Sequence, residues 1–210
     1  MNILLFGISN VGKTTAGRII ADKLGYDFYD LDEEVSKHSN MTIEEFVGTV
    51  WPYERDKTRG EVIGKLLAID SNKVIAVTPM YYTIWFSKYL KRDGVLAIEL
   101  QDEPENIFNR LIFTDENGQV YADSGEYREK HKKHYLREVK KDITYYKKPF
   151  SRIENKFWIG NDSPDVIADR LINQYNLADV INERFPSPIN HRPLSAETVD
   201  ALKDARLHQK

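Results

Sequence analysis

Gly7, Gly12, Lys13 and Thr14 stand in the order G-x-x-x-x-G-K-[ST], inside the stretch GISNVGKTTAG near the start of a 210-residue chain. These residue types at this spacing suit one task. Glycines let the backbone turn so that its N–H groups face phosphate oxygens. The lysine reaches the β- and γ-phosphates of a nucleoside triphosphate, and the threonine hydroxyl can ligate Mg²⁺. Asn10, Val11 and Thr15 complete the loop and belong to the expected nucleotide contacts. The motif requires a strand before it and a helix after it. NILLF (2–6) has the apolar run of a buried strand, and Ala16, Ile19, Ile20 and Leu24 repeat at helical spacing.

A second group of chemical residues follows in YDLDEE, where Asp30 and Asp32 close a short apolar run. They stand at the end of a strand, and alternation puts both on one side of it. Ligands bind beyond the C-terminal ends of strands in open parallel sheets. Two carboxylates there could divide the work. One could support Mg²⁺ through water, and the other could accept the proton of an acceptor hydroxyl. The plainer reading makes Asp32 the N-cap of a helix beginning EEVSKH, beside a surface acid.

The elements that must position these groups alternate along the chain. DFYDL (27–31), VIAVT (74–78), VLAIEL (95–100) and KFWIG (156–160) read as strands alongside NILLF. Helical patterns lie between them: Val62, Ile63, Leu66 and Leu67; ENIFNRL after Pro104; and SPDVIADRLI (163–172), with Ser163 as N-cap and Pro164 at the first helical position. The alternation predicts an α/β fold, a five-stranded parallel sheet flanked by helices. Residues 114–126 are polar and turn-rich. Beyond the proline-rich stretch 186–194, SAETVDALKDARL reads as one amphipathic helix. We therefore expect a main domain over 1–175, with a lid at about 114–135, and a linker with a C-terminal helical tail over 176–210.

Composition narrows the classes. The net charge of −3 gives no general attraction to nucleic acid or to an anionic membrane. The absence of cysteine excludes disulfides, thiolate catalysis and cysteine-bound zinc. No apolar run approaches the roughly 18 residues of a membrane helix, and MNILLFG is too short and uncharged for a signal peptide. These readings lead us to expect a soluble cytoplasmic protein, a monomer or small homo-oligomer, whose partner is a small-molecule acceptor. His131 and His134, at i, i+3 spacing, lack an acidic partner and are not expected to bind metal.

The opening GISNVGKTTAGRIIADKLGYDFYDLD resembles the shikimate kinase family, with its G-x-x-G-x-G-K-[ST]-T-x-G loop and its later F-x-D-x-D. Gly7, Gly12, Lys13, Thr14, Thr15, Gly17, Ala21, Leu24, Phe28, Asp30 and Asp32 all fall in place. The family's central loop glycine is Asn10 here. The resemblance implies a P-loop kinase of nucleoside-monophosphate-kinase type, ATP and Mg²⁺ as cofactors, and phosphate transfer to a ring hydroxyl of a small anionic metabolite. It puts Asp32 at the acceptor hydroxyl, Asp30 near the metal, and Lys13 at the transferred phosphate. It also implies an arginine for the acceptor's anionic group, with Arg55 the best match and Arg59 the fallback. Lys141, four residues before Tyr145, would stand for the second acceptor arginine. Arg110 and Pro164 would enclose the adenine. After the third strand the family has three glycines, whereas this chain has Thr78, Pro79 and Met80. Thr78 could offer the acceptor a hydroxyl, and Met80, Tyr81 and Tyr82 would make its pocket larger or more apolar.

Residues 128–148 carry nine basic side chains against three acidic ones, which suits a lid helix that brings cations to the phosphate. The altered segment at 78–80 keeps a second enzyme reading open, a kinase for another small molecule such as a nucleoside or sugar acid. A reading of a different class is a non-catalytic nucleotide-binding module.

Overall fold

A computed structural model describes residues 1–113 and 124–178. Five parallel strands form one sheet in the order β2-β3-β1-β4-β5. They span β1 Asn2–Phe6, β2 Asp27–Asp30, β3 Lys73–Ala76, β4 Val95–Gln101 and β5 Asn155–Trp158. The register pairs Leu4 with Ile75 on one side and with Ala97 on the other. Ile3, Leu4, Leu5 and Phe6 are all fully buried, as the unbroken apolar run predicts for a central strand covered on both faces.

The helices are α1 Lys13–Leu24, α2 Leu31–Ser39, α3 Ile43–Thr49, α4 Pro52–Leu66, α5 Pro104–Asn109, α6 Ser124–Phe150 and α7 Pro164–Gln174. Two short 3-10 turns, Thr83–Trp85 and Ser87–Tyr89, follow β3. Local chemistry sets several of the starts. Thr42 and Glu45 form a reciprocal capping box for α3, Ser163 caps α7 as expected, and prolines open α4, α5 and α7.

One expectation is corrected here. β2 ends at Asp30, and the chain turns directly into α2, so Asp32 is a helical residue and does not continue the alternation. The cap of α2 is Asp30, whose side chain accepts from the Asp32 N–H at 3.0 Å. An aspartate that can bond the N–H two residues on competes well with one more strand residue. Of the expected lid, 124–135 lies within α6, while 114–123 lies outside the described residues, as do the linker at 186–194 and the tail helix.

The core runs through both faces of the sheet. Phe6 of β1 packs against Phe86 and Phe150, with ring centroids 5.3 and 6.3 Å away. Each such fully buried side chain contributes about 1.5–3 kcal/mol. Among the described residues no helix is long and apolar enough to cross a membrane.

Candidate active site

The glycine loop connects β1 to α1 in the conformation its residue types suggest. Gly7 has φ 140° and Gly12 φ 113°. A side chain at Gly7 would meet the Leu100 carbonyl oxygen at 2.6 Å. Asn10 has φ 60°. The residue that stands where the family has glycine is thus in the left-handed region, which asparagine enters more readily than other residues with a Cβ. Gly12 is the N-cap of α1 and gives no side-chain cap, and the first turn holds no acidic residue. Its first amides and its dipole therefore face the loop ready for an anion. α2 shows the contrast, with Asp30 as cap and Asp32, Glu33 and Glu34 in its first turn.

Lys13 is buried beneath the loop, where its Nζ donates to the carbonyls of Gly7 (2.9 Å) and Ile8 (2.8 Å). Burial pushes its amine down from 10.5 to about 8, and the negative charges of Asp32 and Asp30 offset part of that shift. The Thr14 hydroxyl donates to Asp30 Oδ2 at 2.7 Å. Asp30 thus caps α2 with one oxygen and receives Thr14 with the other. A hydroxyl and a carboxylate side by side are the hard oxygen donors that Mg²⁺ prefers, so these residues fit that ion.

A cleft of about 550 Å³ opens over the loop. Asn10, Val11, Gly12, Lys13, Thr14, Thr15, Arg110 and Pro164 all line it, which joins every expected nucleotide contact except Gly7, packed below. Arg110 is fixed in place by donating to Asp102 Oδ2 (2.5 Å) and the Gly160 carbonyl (2.8 Å). Ile112, Ile159 and Ile167 add an apolar wall, and Ile112 is 74% exposed. Sequence reasoning missed these isoleucines and Asp102. Asp102 directly follows β4, so the strand-end rule applied to β2 would have found it. The isoleucines carry no comparable signal.

On the acceptor side, Asp32 lies beside Arg59, with Asp32 Oδ1 3.8 Å from a guanidinium nitrogen. Arg59 also pairs with Asp56 at 3.3 Å. Arg55 donates to the Val47 carbonyl at 3.2 Å, while its buried Nε has no partner. Thr78 is half-buried, whereas Pro79 and Met80 are buried. Met80 belongs to the core, so of the three bulky residues expected in the acceptor pocket only Tyr81 and Tyr82 are exposed. Lys141 is exposed and bonded to Glu138 at 2.9 Å. Tyr145, one turn on, stacks on Tyr81 with centroids 4.6 Å apart. Among the described residues no cluster of histidine and acid side chains forms a metal site, and His131 packs on Tyr127.

The family model for shikimate kinase matches residues 9–174. The chain belongs to the shikimate kinase family. Members of the shikimate kinase family are phosphotransferases that use ATP and act on a hydroxyl acceptor, and this chain is such an enzyme. It is 29% identical over 175 residues to a shikimate kinase of Thermodesulfovibrio yellowstonii, a match covering 83% of this chain and 94% of the relative. Its fold is similar to that of a shikimate kinase from Bacteroides thetaiotaomicron, with a TM-score of 0.67, 20% identity, and coverage of 84% of this chain and 98% of that one. A shikimate kinase from Acinetobacter baumannii, solved in complex with shikimate, has a TM-score of 0.59 at 22% identity and covers 85% of this chain and 93% of its own.

Proposed function

We propose that this member of the family phosphorylates shikimate with ATP and Mg²⁺. The observation that carries the reading is the Thr14–Asp30 contact at 2.7 Å beside the buried Lys13 amine, at the edge of a cleft sized for a nucleotide. Gly7 and the Asn10–Thr15 loop would cradle the phosphates, with Arg110 and Pro164 on the adenine. Thr14 and Asp30 would hold Mg²⁺, which when bound supplies positive charge against the β- and γ-phosphates.

The chain's own groups then have distinct tasks. Lys13 exchanges two carbonyl partners for phosphate oxygens and carries positive charge to the transferred group. Asp32 accepts the proton of the acceptor hydroxyl, or orients it. Arg55, whose Nε lacks a partner, binds the acceptor's carboxylate through its planar fork. Thr78 and Lys141 would add polar contacts to the acceptor. Arg59, the fallback, already faces Asp32 and Asp56. A cytoplasmic location and a monomer or small homo-oligomer belong to the same proposal.

The loss of glycines at Thr78, Pro79 and Met80 favours a second reading, a kinase for another small molecule such as a nucleoside or sugar acid. A coupled assay of ADP release, with ATP and Mg²⁺ and with or without shikimate, separates the two. Strong shikimate-dependent turnover is the expected result. ATP binding with no turnover above background would overturn shikimate as the acceptor.

A further inference from the structure

A buried ion pair joins three elements on the acceptor side. Asp56 of α4 accepts with one oxygen from the backbone N–H groups of Tyr81 (2.8 Å) and Tyr82 (2.9 Å). Its other oxygen faces Arg59 at 3.3 Å. The two side chains are only 6% and 9% exposed. A further Arg59 nitrogen lies 3.8 Å from Asp32 Oδ1, an oxygen with no hydrogen bond of its own. One line of polar contacts therefore runs from the loop after β3, through α4, to the first turn of α2.

Packing alone does not account for this line. Removing two charges from water is costly, and an apolar pair of similar volume would fill the space as well or better. An arginine gives something an apolar residue cannot, a rigid planar fork whose separate nitrogens address two carboxylates at once. The loop needs such a hold. It lacks glycine, Pro79 has no N–H to give, and its other anchors are side-chain packing, such as Met80 in the core and Tyr81 on Tyr145. Phe46 lies under the guanidinium at 5.9 Å and limits where Arg59 can move.

We propose that Asp56 and Arg59 are positioning residues that fix the acceptor loop and Asp32 relative to one another. Arg59 acts on Asp32 from inside the protein and does not touch the acceptor. The inference rests on the reading of Asp32 as the acceptor-side carboxylate.

Two measurements test it, and the first needs no acceptor. Amide hydrogen exchange is read at Tyr81 and Tyr82 in the wild type and in Arg59→Met, with ATP binding and the melting temperature as controls for folding. Exchange at both amides is expected to rise at least about tenfold while amides of β1 keep their protection. Unchanged exchange at Tyr81 and Tyr82 overturns the proposal. Should Arg59→Met fail to fold, Arg59→Lys, which keeps the charge but loses the fork, is read the same way.

The second measurement is kinetic. Arg59→Lys is expected to lower kcat at least about tenfold with KM for shikimate within about twofold, and to cost no more than about twofold when Asp32 is already Asn. A raised KM with unchanged kcat would make Arg59 a direct acceptor ligand and overturn the proposal, as would an undiminished loss in the Asp32→Asn background. If the wild type shows no turnover with shikimate, the assigned acceptor falls, and the exchange experiment still decides whether the line exists.

Discussion

Thr14 and Asp30, on the first turn of α1 and the last residue of β2, meet through a hydrogen bond of 2.7 Å. The same carboxylate caps α2, so its metal-site and structural roles can be separated by choice of substitution. Asn is as good a cap as Asp but carries no charge. Asp30→Asn is expected to stay within about 0.5 kcal/mol of wild-type stability, while the Mg²⁺ concentration needed for half-maximal activity rises at least about tenfold. Asp30→Ala should show the same metal defect and lose about 1 kcal/mol as well. Thermal melts and a Mg²⁺ titration of activity check both.

Lys13 gives a pH prediction. In the free protein its amine titrates at about 8, below the ordinary 10.5, because burial disfavours the charge. Bound phosphate favours the charged form, so nucleotide binding restores a proton wherever Lys13 has begun to lose it. ATP affinity should therefore be flat in this group below about pH 7 and fall as pH rises through 8, approaching about tenfold per unit above it. Calorimetry in buffers of different ionisation enthalpy should show proton uptake near pH 8. The stability of the free protein should follow the opposite course. The cost of burying the charged amine is fully present below pH 8 and is relieved between 8 and 10.5.

The two aspects of Asp32 and Lys13, chemistry and folding, should also separate. Lys13→Ala and Asp32→Asn are each expected to cut phosphotransfer by at least about tenfold, with the far-ultraviolet circular dichroism of the wild type retained. Full activity in both variants would remove the proposed roles.

The loop backbone makes a paired prediction. Asn10 lies at φ 60°, so Asn10→Gly should be tolerated, whereas Asn10→Val should destabilise by about 1–2 kcal/mol. Gly7→Ala places a Cβ 2.6 Å from the Leu100 carbonyl at a φ of 140°. That contact is with backbone and cannot be relieved by a rotamer, so this variant should lose more stability than Asn10→Val and should lose ATP binding. Melting curves and equilibrium dialysis with ATP rank the three.

How much of this was legible in the sequence follows from how local each determinant is. The glycine loop is local: Gly7, Gly12, Lys13 and Thr14 carry their own conformation and chemistry, and the structure keeps the expected arrangement. Asp30 and Asp32 were legible as types but not as geometry, because one cap hydrogen bond ends the strand at Asp30, before Asp32 can join the alternation. Arg55 and Arg59 lie one turn apart on α4 and look alike in sequence. What separates them is tertiary, since Asp32 and Asp56 both reach Arg59, whereas Arg55 donates to the Val47 carbonyl. Ile112, Ile159 and Ile167 could not be told from core residues, because an apolar side chain has the same pattern whether protein or ligand covers it.

The strand order has a consequence of its own. β3 lies between β2 and β1, so the segment leaving it emerges between the Asp30–Asp32 corner and the glycine loop. That segment is tied to the Asp30–Asp32 corner through Asp56 and Arg59, whereas the glycine loop is held between β1 and α1. The architecture therefore separates the segment on the acceptor side from the loop that grips the phosphate. A lineage can revise the first through the exposed side chains at 81 and 82, whose backbone N–H groups bind Asp56 whatever side chain they carry, and inherit the second intact.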